Sequence, residues 1–147
     1  MKEDFTTAEV LKVTKIKKER LEVWIEKNFV RLPLAGGRGP GTRRRWSRSD
    51  IYGIELFKRL LGLGFSRDSA DAFLKSLQRL GGGLMWGTSI SMTPHSFLEL
   101  RVIGKRISWN LLTDPRLEID SSFDQIVVIN MRKVVDDIDA KINELGD

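Results

Sequence analysis

Residues 15–46 read KIKKERLEVWIEKNFVRLPLAGGRGPGTRRRW, and the fold turns on how this stretch is parsed. Leu21, Trp24, Ile25 and Phe29 fall at i, i+3, i+4 and i+8. That spacing predicts one apolar face of a helix running from about Lys17 to Asn28. The other face carries Lys17, Lys18, Arg20 and Lys27, with Glu19, Glu22 and Glu26 among them. Asn28 is suited to the C-cap. Phe29 to Leu32 is β-prone and ends at Pro33. Ala35 to Thr42 is too rich in glycine for a helix and predicts a hairpin tip, from which Arg43 to Trp46 returns as a second short strand. Glycines let backbone N–H groups approach phosphates, and arginines supply charge and bidentate donors. A basic helix followed by an arginine-rich hairpin therefore suits a polyanion.

On the N-terminal side, Thr6 and Glu9 fit a capping box, and Ala8, Val10, Leu11 and Val13 give the helix it opens its apolar residues. Thr14 to Ile16 would be the turn. Two short helices across such a turn form a helix-turn-helix, whose second helix enters the major groove. On the C-terminal side, Ser49 and Asp50 are expected to cap a third helix, Ile51 to about Leu63, stopped by Gly64. Ser66 is expected to cap a fourth, Arg67 to Leu80, with Ala70, Phe73, Leu74, Leu77 and Leu80 on one face. Four short helices and a two-stranded wing make a domain of about 80 residues, large enough to fold alone.

The charge distribution supports this parsing. Residues 1–80 hold 18 Lys and Arg against 10 Asp and Glu, a net of +8, whereas residues 81–147 hold 7 against 10, a net of −3. The basic half suits a nucleic acid. There are no cysteines, so disulfides, thiolate metal sites and cysteine nucleophiles are excluded. No secretory signal and no membrane span is expected, and the expected location is cytoplasmic, on the nucleoid.

The order FTTAEVLKVTKIKKERLEVWIEKNFVRLP, then RRRWSRSDIYGIELFKRLLGLGFS, resembles the MerR-type winged helix-turn-helix domain over roughly residues 5–80. The matching features are a threonine-initiated first helix, an aromatic at Trp24, the Phe29, Val30 and Pro33 run, Arg44 and Arg45 before Trp46, and the LLGLGFS segment at 60–66. The resemblance implies a DNA-binding transcriptional regulator. Lys17, Lys18 and Arg20 would face DNA from the recognition helix, and Arg44 and Arg45 would grip its backbone. Trp24 and Trp46 would stand at the helix–wing junction, partly in the core and partly toward phosphate. Arg38 and Arg43 add charge to the same wing. Glu22 and Val23 depart from the family pattern, and a glutamate there can accept from cytosine N4.

In the second half, Gly81–Gly83 predicts a linker. Phe97 to Ile103 and Arg106 to Leu112 predict a hairpin turning at Gly104-Lys105, and Ile126 to Ile129 a short buried strand. Asn130 is expected to cap a final helix, Met131 to Leu145, whose apolar face is Met131, Val134, Val135, Ile138, Ile142 and Leu145. The whole reads as mainly α with a small β component: a winged helix-turn-helix domain over 1–80 and a small α+β region over 81–147. The terminal helix spans about two heptads and is expected to pair two copies, as MerR-type proteins do. Two-fold DNA sites need two recognition helices about 34 Å apart.

No enzyme, metal or cofactor is expected. His95, the single histidine, has no companion ligand, and Asp136, Asp137 and Asp139 form a solvated face. The expected partners are double-stranded DNA, a second copy, and a small-molecule or protein effector. A pocket around Trp86, Phe97 and Trp109 would serve a small molecule. Two other functions fit the same features: an excisionase-like or chromosome-organising accessory factor, and a protein-interaction module docking through the acidic half.

Overall fold

The computed structural model describes residues 2–29, 44–80, 97–113 and 122–146. The chain begins with a strand, β1 (Asp4–Thr6), followed by α1 (Thr7–Thr14) and α2 (Lys18–Glu26). After the next described residues come β2 (Arg45–Ser47), α3 (Arg48–Gly62) and α4 (Arg67–Leu80). Then follow β3 (Phe97–Ile103), β4 (Arg106–Leu112), β5 (Gln125–Asn130) and α5 (Met131–Asn143). The described residues are thus mixed α and β, with five helices and two small antiparallel sheets. The residue 30–32 run, the glycine-rich tip, Arg38, Arg43, the Gly81–Gly83 segment, Trp86 and His95 lie outside the described residues.

Local chemistry explains most boundaries. Thr6 caps α1 through the predicted box: its hydroxyl accepts from the Glu9 N–H, and the Glu9 carboxylate accepts from the Thr6 N–H at 2.8 Å. Lys15 ends α1 in the left-handed region, φ 59°. At the end of α2, Asn28 takes φ 58°, the Phe29 N–H bonds the Trp24 carbonyl and the Asn28 N–H bonds that of Ile25. This is a Schellman closure, with asparagine where glycine is usual. Gly64, at φ 98°, closes α3 in the same pattern through the Phe65 and Gly64 N–H groups. The start of α3 differs from expectation. Ser47, not Ser49, is the cap, and Asp50 is the third residue of a second capping box, so α3 begins at Arg48.

The arginine strand has a partner that the sequence did not suggest, while the pairing expected with residues 29–32 falls largely on residues outside the described ones. β2 pairs with β1, in the register Asp4↔Ser47, Phe5↔Trp46 and Thr6↔Arg45. Phe5 and Trp46 are both fully buried and form one wall of the core. The predicted hairpin is present as β3 and β4. β5 joins the other edge of β3, giving the order β4–β3–β5. One face of this sheet, with Leu98, Leu100, Val102, Ile107, Trp109, Leu111, Val127 and Ile129, adjoins the helices.

A single cluster of buried side chains runs through both halves of the chain. α5 packs against α1, α3 and β3, and α4 packs against α3 and β4. Met131, Val134, Val135, Ile138 and Ile142 are each at most 3% exposed, and Leu145 packs against the same cluster. The apolar face expected to pair two copies is therefore consumed within the protomer. A 13-residue helix has one wide apolar stripe, and here α1, α3 and β3 pack on it.

Candidate nucleic-acid interface

α2 is held from behind. Leu21 and Trp24 are fully buried and Ile25 nearly so. Trp24 meets Phe57 of α3 edge-on at 4.8 Å, and Phe29 stacks on the same ring at 6.0 Å. Both preceding and following ends are fastened by lysines of other helices. Lys58 of α3 donates to the Thr14 carbonyl at the end of α1 (2.7 Å). Lys75 of α4 donates to the Asn28 carbonyl at the end of α2 (3.3 Å). These cations satisfy and complement helix C-termini, and neither contact has a local signal in the sequence, since each lysine is more than 40 residues from its acceptor.

The exposed side of α2 is not uniformly basic. Lys17, Lys18 and Arg20 crowd its first turn with Glu19 among them, all exposed, while Glu22, Val23, Glu26 and Lys27 continue along it. Lys17 is the N-cap, with extended backbone and no side-chain cap bond. The first N–H groups of α2 thus add the positive end of the helix dipole to three cations. The Arg20 guanidinium lies 5.0 Å from the Trp24 ring, which orients it without burying it. The first turn sets three cations against one carboxylate, Glu19, whereas the rest of the helix and its C-cap set Lys27 against Glu22 and Glu26. Val23, 36% exposed, is the single large apolar side chain on that face.

The arginines after the glycine tract divide. Arg44 is half-buried. Arg45 is exposed but forked onto Asp4: its Nε lies 2.7 and 2.9 Å from the two carboxylate oxygens, and one terminal nitrogen also contacts Asp4. The hydrogen bond and charge of Arg45 hold the Asp4 carboxyl below its ordinary range, and Asp4 raises Arg45 in return. A phosphate reaching Arg45 competes with Asp4. Trp46 requires a correction. It is fully buried, and its Nε1 donates to Thr7 Oγ1 at 3.1 Å. Its polar edge is satisfied inside the protein and its ring packs in the core, so it is not a surface contact. Trp24 is likewise wholly core. The structure thus gathers Lys17, Lys18 and Arg20 on one helical turn and sets Arg45 opposite Thr6, at the start of α1.

One cluster was missed by sequence reading. Arg48, 8% exposed, donates to Asp139 of α5 (2.7 Å) and to the Lys2 carbonyl (3.0 Å), and lies 3.5 Å from Glu3. Tyr52 also donates to Asp139. Burial disfavours the charge on Arg48, but its bonds to Asp139 and Tyr52 raise its pKa overall. Burial and the Asp139 carboxylate push the Tyr52 phenol well above its ordinary value. Asp139 is therefore not part of a solvated face. It joins the first strand region, α3 and α5. Asp137 lies 3.0 Å from Lys133 and 3.8 Å from Arg59. An isolated aspartate on a polar helix face carries no mark of such a partner, because Arg48 is 91 residues away in the chain.

Among the described residues no cluster of three or more histidine, aspartate or glutamate side chains is disposed to hold a metal ion, and no helix is long and apolar enough to cross a membrane. No protein-family model matches the chain, and no curated protein is significantly similar to it.

Proposed function

We propose that this chain is a sequence-specific double-stranded DNA-binding protein of the MerR type, working in transcriptional control. Its α1–turn–α2 unit acts as the helix-turn-helix and α2 as the recognition helix. The observation that carries the reading is the first turn of α2, where Lys17, Lys18 and Arg20 stand exposed at an uncapped helix N-terminus while Leu21, Trp24 and Ile25 anchor the opposite face. A recognition helix needs that combination: base and phosphate contacts at its N-terminal residues, and a rigid scaffold that fixes its angle.

The geometry also apportions the work. Cations at the N-terminal turn contact phosphate and the nearest bases. Farther along, Glu22 and Val23 meet base edges, where a glutamate accepts from cytosine N4 and an apolar side chain contacts the thymine methyl. Arg44 and the arginines before it supply further backbone charge. Arg45 contributes to the extent that phosphate displaces Asp4. Trp46 has no part in the contact, and α5 is assigned no dimer surface.

The test is selection from a random pool of duplexes with the purified protein, followed by titration on the selected site. Enrichment of a defined motif, weakened by Lys17→Ala with Lys18→Ala, is the expected result. Each lost phosphate contact should reduce the salt slope by about 1. A pool that stays random, or an affinity unaffected by the double substitution, would refute the reading.

A further inference from the structure

A shallow cavity of about 380 Å³ lies between α4 and the β3–β4 hairpin, lined by Ser69, Ala72, Phe73, Ser76, Lys105, Ile107, Ser108 and Trp109. Three of its features are unrelated to the α2 surface. First, it has an aromatic wall: Phe73 and Trp109 meet edge to face with centroids 6.3 Å apart. Trp109 is held by its Nε1, which donates to Ser76 Oγ at 3.4 Å. Second, it has hydroxyl donors. Ser69 Oγ accepts from Ser66 Oγ at 2.9 Å and Ser76 Oγ accepts from Trp109, so each keeps its own O–H to donate. Third, it has a cation, Lys105, with no ion pair among the described residues and no carboxylate beside it among the described lining residues. The turn presenting Lys105 is fixed by the Gly104 N–H, which donates to Asp124 at 2.6 Å, with Gly104 at φ 57°.

The pleat separates Phe97 from Trp109, two of the three aromatics expected around one pocket, and the third, Trp86, lies outside the described residues. Trp109 stands opposite Leu100, on the helix-facing side, while Phe97 belongs to the other face of β3. Trp109 instead finds its companions on α4.

We propose that this cavity is a binding site for a small planar organic anion, an aromatic carboxylate of one or two rings. The volume is in the lower part of the range of about 300–1,000 Å³ for small-molecule sites. The ring would lie against Phe73 and Trp109, and the carboxylate would take the Lys105 ammonium and a serine hydroxyl. With no acid among the described lining residues the site disfavours amines, and the ammonium disfavours neutral amides, since a charge-assisted bond is worth about twice a neutral one. The other side of α4 carries Lys75, which holds the end of α2. A ligand here thus bears on a helix that also supports the proposed recognition helix. The binding claim itself stands apart from the DNA reading and is measured on the protein alone.

The test is a titration of the full chain, isotope-labelled for amide and indole NMR signals, with benzoate, phenylacetate and indole-3-carboxylate, beside benzamide and benzylamine. The carboxylates should move the signals of residues 69–76 and 105–109 and the Trp109 indole, with a dissociation constant below about 1 mM. Benzamide should bind about tenfold more weakly. Lys105→Ala, a change at an exposed turn, should erase that preference, and Lys105→Arg should keep it. The proposal is overturned if no carboxylate moves these signals at about 10 mM, if benzamide binds as tightly, or if Lys105→Ala leaves the preference intact.

Discussion

Arg48 and Asp139 show how one half-buried ion pair ties distant parts of the chain together. Replacing Asp139 by Asn keeps the shape but leaves the Arg48 guanidinium short of its strongest acceptor. Glu3 and the Lys2 carbonyl remain, and Asp139 is 36% exposed, so the expected loss is moderate, about 1–2 kcal/mol by thermal or denaturant unfolding. Trp46→Ala should cost more, about 3–5 kcal/mol, because it removes a fully buried indole and its bond to Thr7. If Trp46→Ala instead left stability intact and weakened only DNA binding, its placement in the core would be wrong. Acid sensitivity follows from the carboxylates. Glu9 is held below its ordinary range by its bonds to Lys2 and the Thr6 backbone, Asp137 by Lys133, and Asp4 by Arg45. A lowered folded-state pKa contributes stability above the unfolded value, near 4, and loses it as pH falls through the folded value. Unfolding midpoints should therefore drop below about pH 4, and a flat profile there would count against these pairs.

Elements were legible where their signals are local. The Thr6–Glu9 box, the Asn130 cap and the hairpin turn at Gly104-Lys105 each sit within four residues, and the structure has all three. Where two local signals compete, the reading slipped: SRSD offers two serines, and Ser47 won because Asp50 stands three residues on to complete its box. β1 was missed because three residues show no periodicity and its partner lies about 40 residues away. The apolar face of α5 was visible, but its partner was not, since periodicity marks that a face is buried and not by what. At the end of α2, Asn28 at φ 58° makes a sharp prediction. Asn28→Gly should be neutral or slightly stabilising, whereas Asn28→Val should cost about 1 kcal/mol or more, read by chemical denaturation. Equal effects of the two would argue against a left-handed closure there.

At the scale of the whole molecule, the charge asymmetry suggested two separable halves, yet the packing joins them. α5 supplies five side chains at most 3% exposed, on elements that include α1 and α3. At about 1.5–3 kcal/mol for each buried aliphatic side chain, their removal forfeits roughly 10 kcal/mol, comparable to the 5–15 kcal/mol by which domains are stable. A chain cut after residue 80 should therefore fail to hold native structure, seen as lost amide dispersion and a broad melt. A cooperative transition in the truncated chain would show that the first half stands alone. The described fold presents a cation-rich start at α2, and the central claim is that this start binds duplex DNA. The most direct measurement is the salt dependence of binding to a pool-selected duplex, for the native chain and for Lys17→Ala with Lys18→Ala. With about four phosphate contacts per protomer, log affinity should fall against log salt with a slope near −3.5 per protomer bound, reduced by about 2 in the variant. A slope near zero, or the same slope in both proteins, would contradict it.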